Sequence, residues 1–210
     1  MTTEPEHSLE VERTYDVDAE TPLPDWARLP GVVAVDAPEP RSLDAQYLDT
    51  ADLALGRARV ALRRRTGGPD EGWHIKRVTD AGKAESRWPL DTPDADGASP
   101  VPEAIVAALA DLAATPFEPL ARIRNSRTAY ALRDAAGQLV AEFVDDRVTA
   151  TDERAGRVSS WREWELELGP AAPSGDDERH ALFEAADLLV AEVGGRPAAS
   201  ESKLGRTLGL

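Results

Sequence analysis

In SWREWELEL, residues 160–168, Glu163, Glu165 and Glu167 alternate with Trp164, Leu166 and Leu168. Residues two apart on a strand point to the same side, about 6.5 Å from one another, so this segment has one acidic and one apolar face. The pattern recurs. In HSLEVERTYDV, residues 7–17, Leu9, Val11, Tyr15 and Val17 alternate with Glu10, Glu12 and Thr14. Between these acidic segments lie basic ones: Arg63 and Arg65 share a face in ALRRR, His74 and Lys76 in GWHIK, and Arg122 and Arg124 in ARIRNSR, each opposite a largely apolar face. Any one pair is explained by a solvated outer sheet face. Together, acidic sets on the terminal strands and basic sets on the middle ones would line a mixed-sign tunnel if the sheet closed on itself. A buried charge without a partner costs several kcal/mol, so such a lining requires ions, waters or a ligand. A metal ion bridging carboxylates to phosphate oxygens, with arginines on the remaining oxygens, would satisfy both signs.

Alternation predicts eight strands, over residues 7–17, 42–50, 58–65, 72–79, 84–90, 117–133, 139–149 and 157–169. A short helical turn is expected at 25–29 and a brief helix at 51–56. In VPEAIVAALADLA, residues 101–113, Ile105, Ala108, Leu109 and Leu112 recur at helical spacing, with Pro102 suited to the first turn. A second amphipathic helix is expected at 177–193 and a short one at 200–208. DTPDADGASP, residues 91–100, reads as a surface connection. The order of strands and helices indicates an antiparallel sheet and the α+β class, in one domain over residues 1–210 with an ordered core of about 7–208.

The formal net charge of -15 argues against a nucleic-acid or anionic-membrane surface, so any anionic ligand must be held locally. Cysteine is absent, which excludes disulfides and thiolate metal sites. The opening MTTEPEHSLE lacks the pattern of a secretory signal, and no stretch approaches the roughly 20 apolar residues of a membrane span, so a cytoplasmic location is expected. Paired carboxylates without thiolates favour Mg²⁺ or Mn²⁺, which take oxygen ligands.

These motifs resemble the CYTH domain of the triphosphate tunnel metalloenzymes. LEVERT at 9–14 resembles the family's ExExK signature, and YLDTADLAL at 47–55 its YxDT strand and short helix. ALRRRTGGPDEGWHIK at 61–76 resembles its LRxR strand and the following tryptophan-containing strand ending in lysine. EFVDDR at 142–147 and EWELEL at 163–168 are similar to its late acidic strands, and ESKLGR at 201–206 to its terminal helix. The match covers most of the chain, in order.

The resemblance implies an eight-stranded antiparallel closed β-barrel with flanking helices. It also implies Mg²⁺- or Mn²⁺-dependent hydrolysis of a small-molecule triphosphate: inorganic tripolyphosphate, thiamine triphosphate or a nucleotide. Carried over, Glu10, Glu12, Asp145, Glu163, Glu165 and Glu167 would hold the metal or position water. Arg63, Arg65, Lys76, Arg87, Arg124 and Arg127 would hold phosphates, and Lys203 would close a tunnel mouth. Glu10, Glu12, Lys76 and Arg65 would be the catalytic set. Arg124 and Arg127 are three apart, so both could face inward only across a bulge; on the neighbouring strand Lys83 competes with Arg87 for the same role. The lysine of ExExK is Thr14 here, which opens a second reading, a non-catalytic polyphosphate- or nucleotide-binding module. Adenylate cyclase is a third. Outside these motifs, His74 reads as structural or as a proton carrier. Tyr47 and Asp49 read as tunnel lining, with helix capping as the alternative for Asp49.

Overall fold

The strands expected from alternation form one largely antiparallel sheet in the computed structural model, which describes residues 4–80, 82–90, 100–200 and 202–210. The strands are β1 (Glu6–Glu10), β2 (Glu12–Val17), β3 (Ala34–Val35), β4 (Glu39–Asp49), β5 (Val60–Thr66), β6 (Gly72–Thr79), β7 (Gly82–Trp88), β8 (Glu118–Arg133), β9 (Leu139–Asp152), β10 (Arg157–Leu168) and β11 (Arg196–Pro197). The helices are α1 (Ala54–Arg57), α2 (Glu103–Leu109), α3 (Asp176–Glu192) and α4 (Lys203–Leu208), with a 3-10 turn at Trp26–Arg28. Hydrogen-bonded neighbours follow the order β1, β7, β6, β5, β4, β8, β9, β10, β2, β11, with β3 beside β8. The α+β class therefore stands.

The closed eight-stranded barrel does not. The path has two ends, β1 and β11, and with β3 beside it the sheet holds eleven strands among the described residues. The expected strand at 7–17 breaks at Val11: β1 pairs with β7 through Glu10↔Lys83, whereas β2 pairs with β10 through Glu12↔Glu167. That break, with the two-residue strands β3 and β11, accounts for the three additional strands. It also separates Glu10 from Glu12, which were expected to form a pair on one strand. The connection expected at 91–100 falls, apart from its last residue, outside the described residues.

The chain divides into two compact units. The first comprises Met1–Glu10, Leu43–Arg124 and Ala150–Val158. Its core joins Leu62, Trp73, Ile75 and Trp88, the apolar faces of β5, β6 and β7, to Leu55 of α1 and to Ile105 and Leu109 of α2. α2 stops at Leu109, short of the expected 113, and leaves Leu112 37% exposed. Asp49, buried, accepts from the backbone N–H groups of Thr50 (2.7 Å), Leu55 (2.9 Å) and Gly56 (2.9 Å). A carboxylate so placed satisfies donors at a helix start that otherwise lack partners, so Asp49 builds the turn into α1.

The second unit comprises Val11–Ser42, Asn125–Thr149 and Ser159–Leu210. Leu182, Phe183, Ala186, Leu189 and Val190 recur at helical spacing on α3 and share a core with Tyr15, Val17, Phe143, Trp164 and Leu166. Asp176, Asp177 and Glu178 in the first turn of α3 suit the positive end of its dipole. Trp164 is fully buried, edge-on to Phe143 at 5.7 Å between ring centroids. Replacing a buried tryptophan by alanine removes its transfer energy and leaves a cavity. Trp164→Ala is expected to lower unfolding stability by about 3–5 kcal/mol in urea titrations.

Candidate functional site

Residues directly opposite one another in a ladder share a sheet face. In the first unit the pairs Tyr47↔Arg63, Arg63↔His74, Ala61↔Lys76, His74↔Arg87, Lys76↔Glu85 and Ser8↔Glu85 define one polar face. Glu10, Arg65, Arg87 and Lys83 lie on it by the same parity, so both candidates from β7 belong to it. Lys76 Nζ is 2.5 Å from Glu10 Oε2 and 3.1 Å from Glu85 Oε2. Arg63 reaches Tyr47 Oη at 3.3 Å and Glu85 Oε2 at 3.4 Å, while its buried Nε finds no hydrogen-bond acceptor among the described residues. Arg65 pairs with Asp70 and Arg87 with Glu6.

Glu85 is the centre of this face, and His74 Nδ1 lies 3.0 Å from its Oε1. Burial alone would raise the Glu85 pKa, but the His74 hydrogen bond and the charges of Lys76 and Arg63 outweigh it and hold the carboxyl well below its usual range. His74 is fully buried, with Nε2 3.0 Å from the Asp70 carbonyl. Burial, followed by repulsion from Arg63 and Arg65, lowers its pKa to about 4 against the pull of Glu85. The ring is therefore neutral near pH 7 and unsuited to carry protons there, with one N–H for two acceptors.

In the second unit, the register Glu165↔Thr14 and Glu167↔Glu12 puts Glu12, Thr14, Glu163, Glu165 and Glu167 on one face of β2 and β10. Asp146 of β9 joins Glu163 and Glu165, each offering an oxygen within 4.8 Å of the others. Two cations enter this group. Arg127 donates from Nε to Asp146 Oδ1 at 2.8 Å, and from Nη2 to Asp146 Oδ2 at 2.7 Å and Glu165 Oε2 at 2.8 Å. Lys203 Nζ stands 2.6 Å from Glu163 Oε1, 2.6 Å from Glu165 Oε1 and 3.0 Å from Asp146 Oδ2.

Burial raises the Glu163 pKa, and Glu165 adds to that rise while Lys203 opposes it. Burial would lower the Lys203 pKa, but Glu165, Asp146 and Glu163 together drive it upward, so the ammonium stays charged. Oxygen donors only, gathered this closely, suit a hard divalent cation.

Three expected residues lie elsewhere. Asp145 accepts two bonds from Arg162, at 2.8 and 2.9 Å, and one from Trp164 Nε1 at 3.1 Å. Arg124 points to the exposed side of β8 with Arg122, and both bind Asp44. It does not join Arg127, and no bulge is needed because the two occupy opposite faces. Glu10 belongs to the basic face of the first unit. Asp146 and Glu85 were overlooked, although parity marks both: Phe143 and Asp145 share one side of β9, which leaves Asp146 on the other, and Glu85 lies two residues from both Lys83 and Arg87.

A model of the CYTH domain family matches residues 9–193. Uncharacterized proteins from two strains of Mycobacterium tuberculosis are 38% identical over 216 residues, covering 98% of this chain. The chain spans 41% of the length of those relatives. Among solved structures, a candidate adenylate cyclase from Bacillus halodurans superposes with a TM-score of 0.63 at 18% identity, over 95% of this chain and 97% of its own. A candidate adenylyl cyclase from Hippeastrum, described as having a dominant triphosphatase activity, gives 0.54 at 15% identity over 96% of each chain. No helix among the described residues is long and apolar enough to cross a membrane.

Because the His74 pKa in the folded chain, about 4, lies below the ordinary 6.5, the unfolded chain takes up the proton first as pH falls. Its contribution is complete above about 6.5 and is lost toward about 4; the lowered Glu85 carboxyl adds a loss below its ordinary 4.5. Stability is expected to drop by roughly 2–3 kcal/mol across the His74 window. His74→Gln should flatten the urea midpoint between pH 6.5 and 4.5. A wild-type midpoint that is level over that range would contradict the assignment.

Proposed function

We propose that this chain, which belongs to the CYTH domain family, is a metal-dependent triphosphatase acting on inorganic tripolyphosphate or a small organic triphosphate. The observation that carries this reading is Arg63, whose side chain is 11% exposed and whose guanidinium makes only long contacts, at 3.3 and 3.4 Å, with Nε unmatched. A buried guanidinium short of acceptors favours an anionic ligand with several oxygens, and phosphate fits its planar fork. Lys76, Arg65 and Arg87 share its face and are assigned with it to phosphate binding. The activity described for the Hippeastrum protein supports the reaction class.

Phosphoryl transfer depends chiefly on positioning and on neutralising charge at the equatorial oxygens. Arg63, Arg65 and Lys76 would hold those oxygens in line. Asp146, Glu163 and Glu165, in the second unit, would hold Mg²⁺ or Mn²⁺, the divalent ion that hydrolysis of this kind uses. Water attacks the terminal phosphorus, the anhydride P–O bond breaks, and the shortened phosphate leaves with the bridging oxygen. Glu10, on the Lys76 ammonium, is assigned to orient that water, a role carried over from the family motif.

Thr14, opposite Glu165 where the motif has lysine, favours a second reading, binding without turnover. Phosphate release measured on tripolyphosphate, thiamine triphosphate and ATP with Mg²⁺ or Mn²⁺ separates the two. Arg63→Ala and Glu163→Gln should each lower release by at least about 100-fold. Calorimetric binding of tripolyphosphate with no release by the wild-type chain would select the binding module, and cyclic AMP formed from ATP in preference to phosphate would select a cyclase.

A further inference from the structure

We infer that Lys203 is an exchangeable internal cation, held on Asp146, Glu163 and Glu165 until a divalent ion replaces it, and that the replacement loosens α4. The inference rests on the metal-binding reading of those three carboxylates. Its starting point is how the three carboxylates are compensated: Arg127 and Lys203 stand among them, and Arg206 lies 3.9 Å from Glu163. A divalent ion in place of the ammonium brings one more positive charge to the same oxygens, whereas in place of Arg127 it would forfeit three hydrogen bonds.

The two cations are held differently. Arg127 lies inside the sixteen-residue strand β8 and grips Asp146 with two nitrogens. Lys203 opens a six-residue helix and touches the three carboxylates through a single atom. Its contact with Glu163 Oε1 lacks hydrogen-bond geometry, so that oxygen is buried beside a cation without receiving a proton. Beyond Lys203, α4 is held by Arg206, which pairs with Asp16 at 2.5 Å and stacks 4.8 Å above Trp161. Trp161 Nε1 in turn donates to Glu163, so a change at Glu163 reaches the partners of both Lys203 and Arg206.

The test is Mn²⁺ binding, followed by electron paramagnetic resonance of the free ion, on the full wild-type chain, Lys203→Met and Glu163→Gln. Hydrogen exchange of residues 203–208 in the wild type, with and without Mn²⁺, provides a readout independent of any variant's folding. Lys203→Met should bind Mn²⁺ about tenfold more tightly, a typical size for coupling between competing ligands, and Glu163→Gln should bind it far more weakly. Mn²⁺ should accelerate exchange in α4. Binding that is unchanged or weaker in Lys203→Met, with Glu163→Gln still defective, overturns the exchange while leaving the metal site intact. Exchange in wild-type α4 that Mn²⁺ leaves unchanged or slows overturns it even if the lysine variant does not fold. Absence of Mn²⁺ binding in all three chains overturns both readings.

Discussion

Glu163 is 3% exposed and lies on one strand face with Glu165, so two carboxylates are brought close where water screens them poorly. Such an arrangement persists only if cations stand against it. Arg127 and Lys203 do so from β8 and α4, 38 residues before and 38 residues after Glu165 respectively. The short C-terminal helix is thus tied into its unit by charge as much as by apolar surface.

The first unit solves the opposite problem. Arg63, Arg65 and Lys76 share a face with Arg87, and cations so close would repel were Glu85, Glu10, Asp70 and Glu6 not set among them. Glu85 takes two of these contacts, from Arg63 and Lys76, and is correspondingly stabilised as an anion, while neutral His74 lies between it and the Asp70 carbonyl. Arg63 is the member left with the poorest set of acceptors. Under the proposed reading, an anion would supply the acceptors that Arg63 lacks, and the net charge of -15 is no obstacle to a ligand held locally.

Period-two alternation made the strands legible: β6 and β8 fall within one residue of the expected bounds, because each carries a charged face and an apolar face that no other geometry separates so well. The residue type at each parity also made most of the two charge groups legible. What alternation could not convey was partnership. Nothing in LEVERT says that the residues before Val11 bond β7 and those after it bond β10, since hydrogen-bond partners are chosen by distant segments. Asp145 was preferred over Asp146 for a related reason: two adjacent aspartates differ only in the side they face, and the apolar anchor that settles it, Phe143, packs on Trp26 and Trp164 from other parts of the chain. Closure failed as an expectation because it is a property of the whole ring of pairings.

The apolar faces in turn enforce the placement of charge. A slip of one residue in the pairing of β10 would exchange its two sides, carrying Glu163 and Glu165 into the cluster built on Phe143, Leu182 and Val190 and turning Trp164 and Leu166 toward Asp146. Two unpaired carboxylates in that core would each cost several kcal/mol, on top of the apolar burial lost by Trp164 and Leu166. The register that brings the three carboxylates together is therefore held by residues that touch none of them. It follows that the chemistry of the acidic group and the stability of its unit are set by one alternation, read on opposite sides of the same strand.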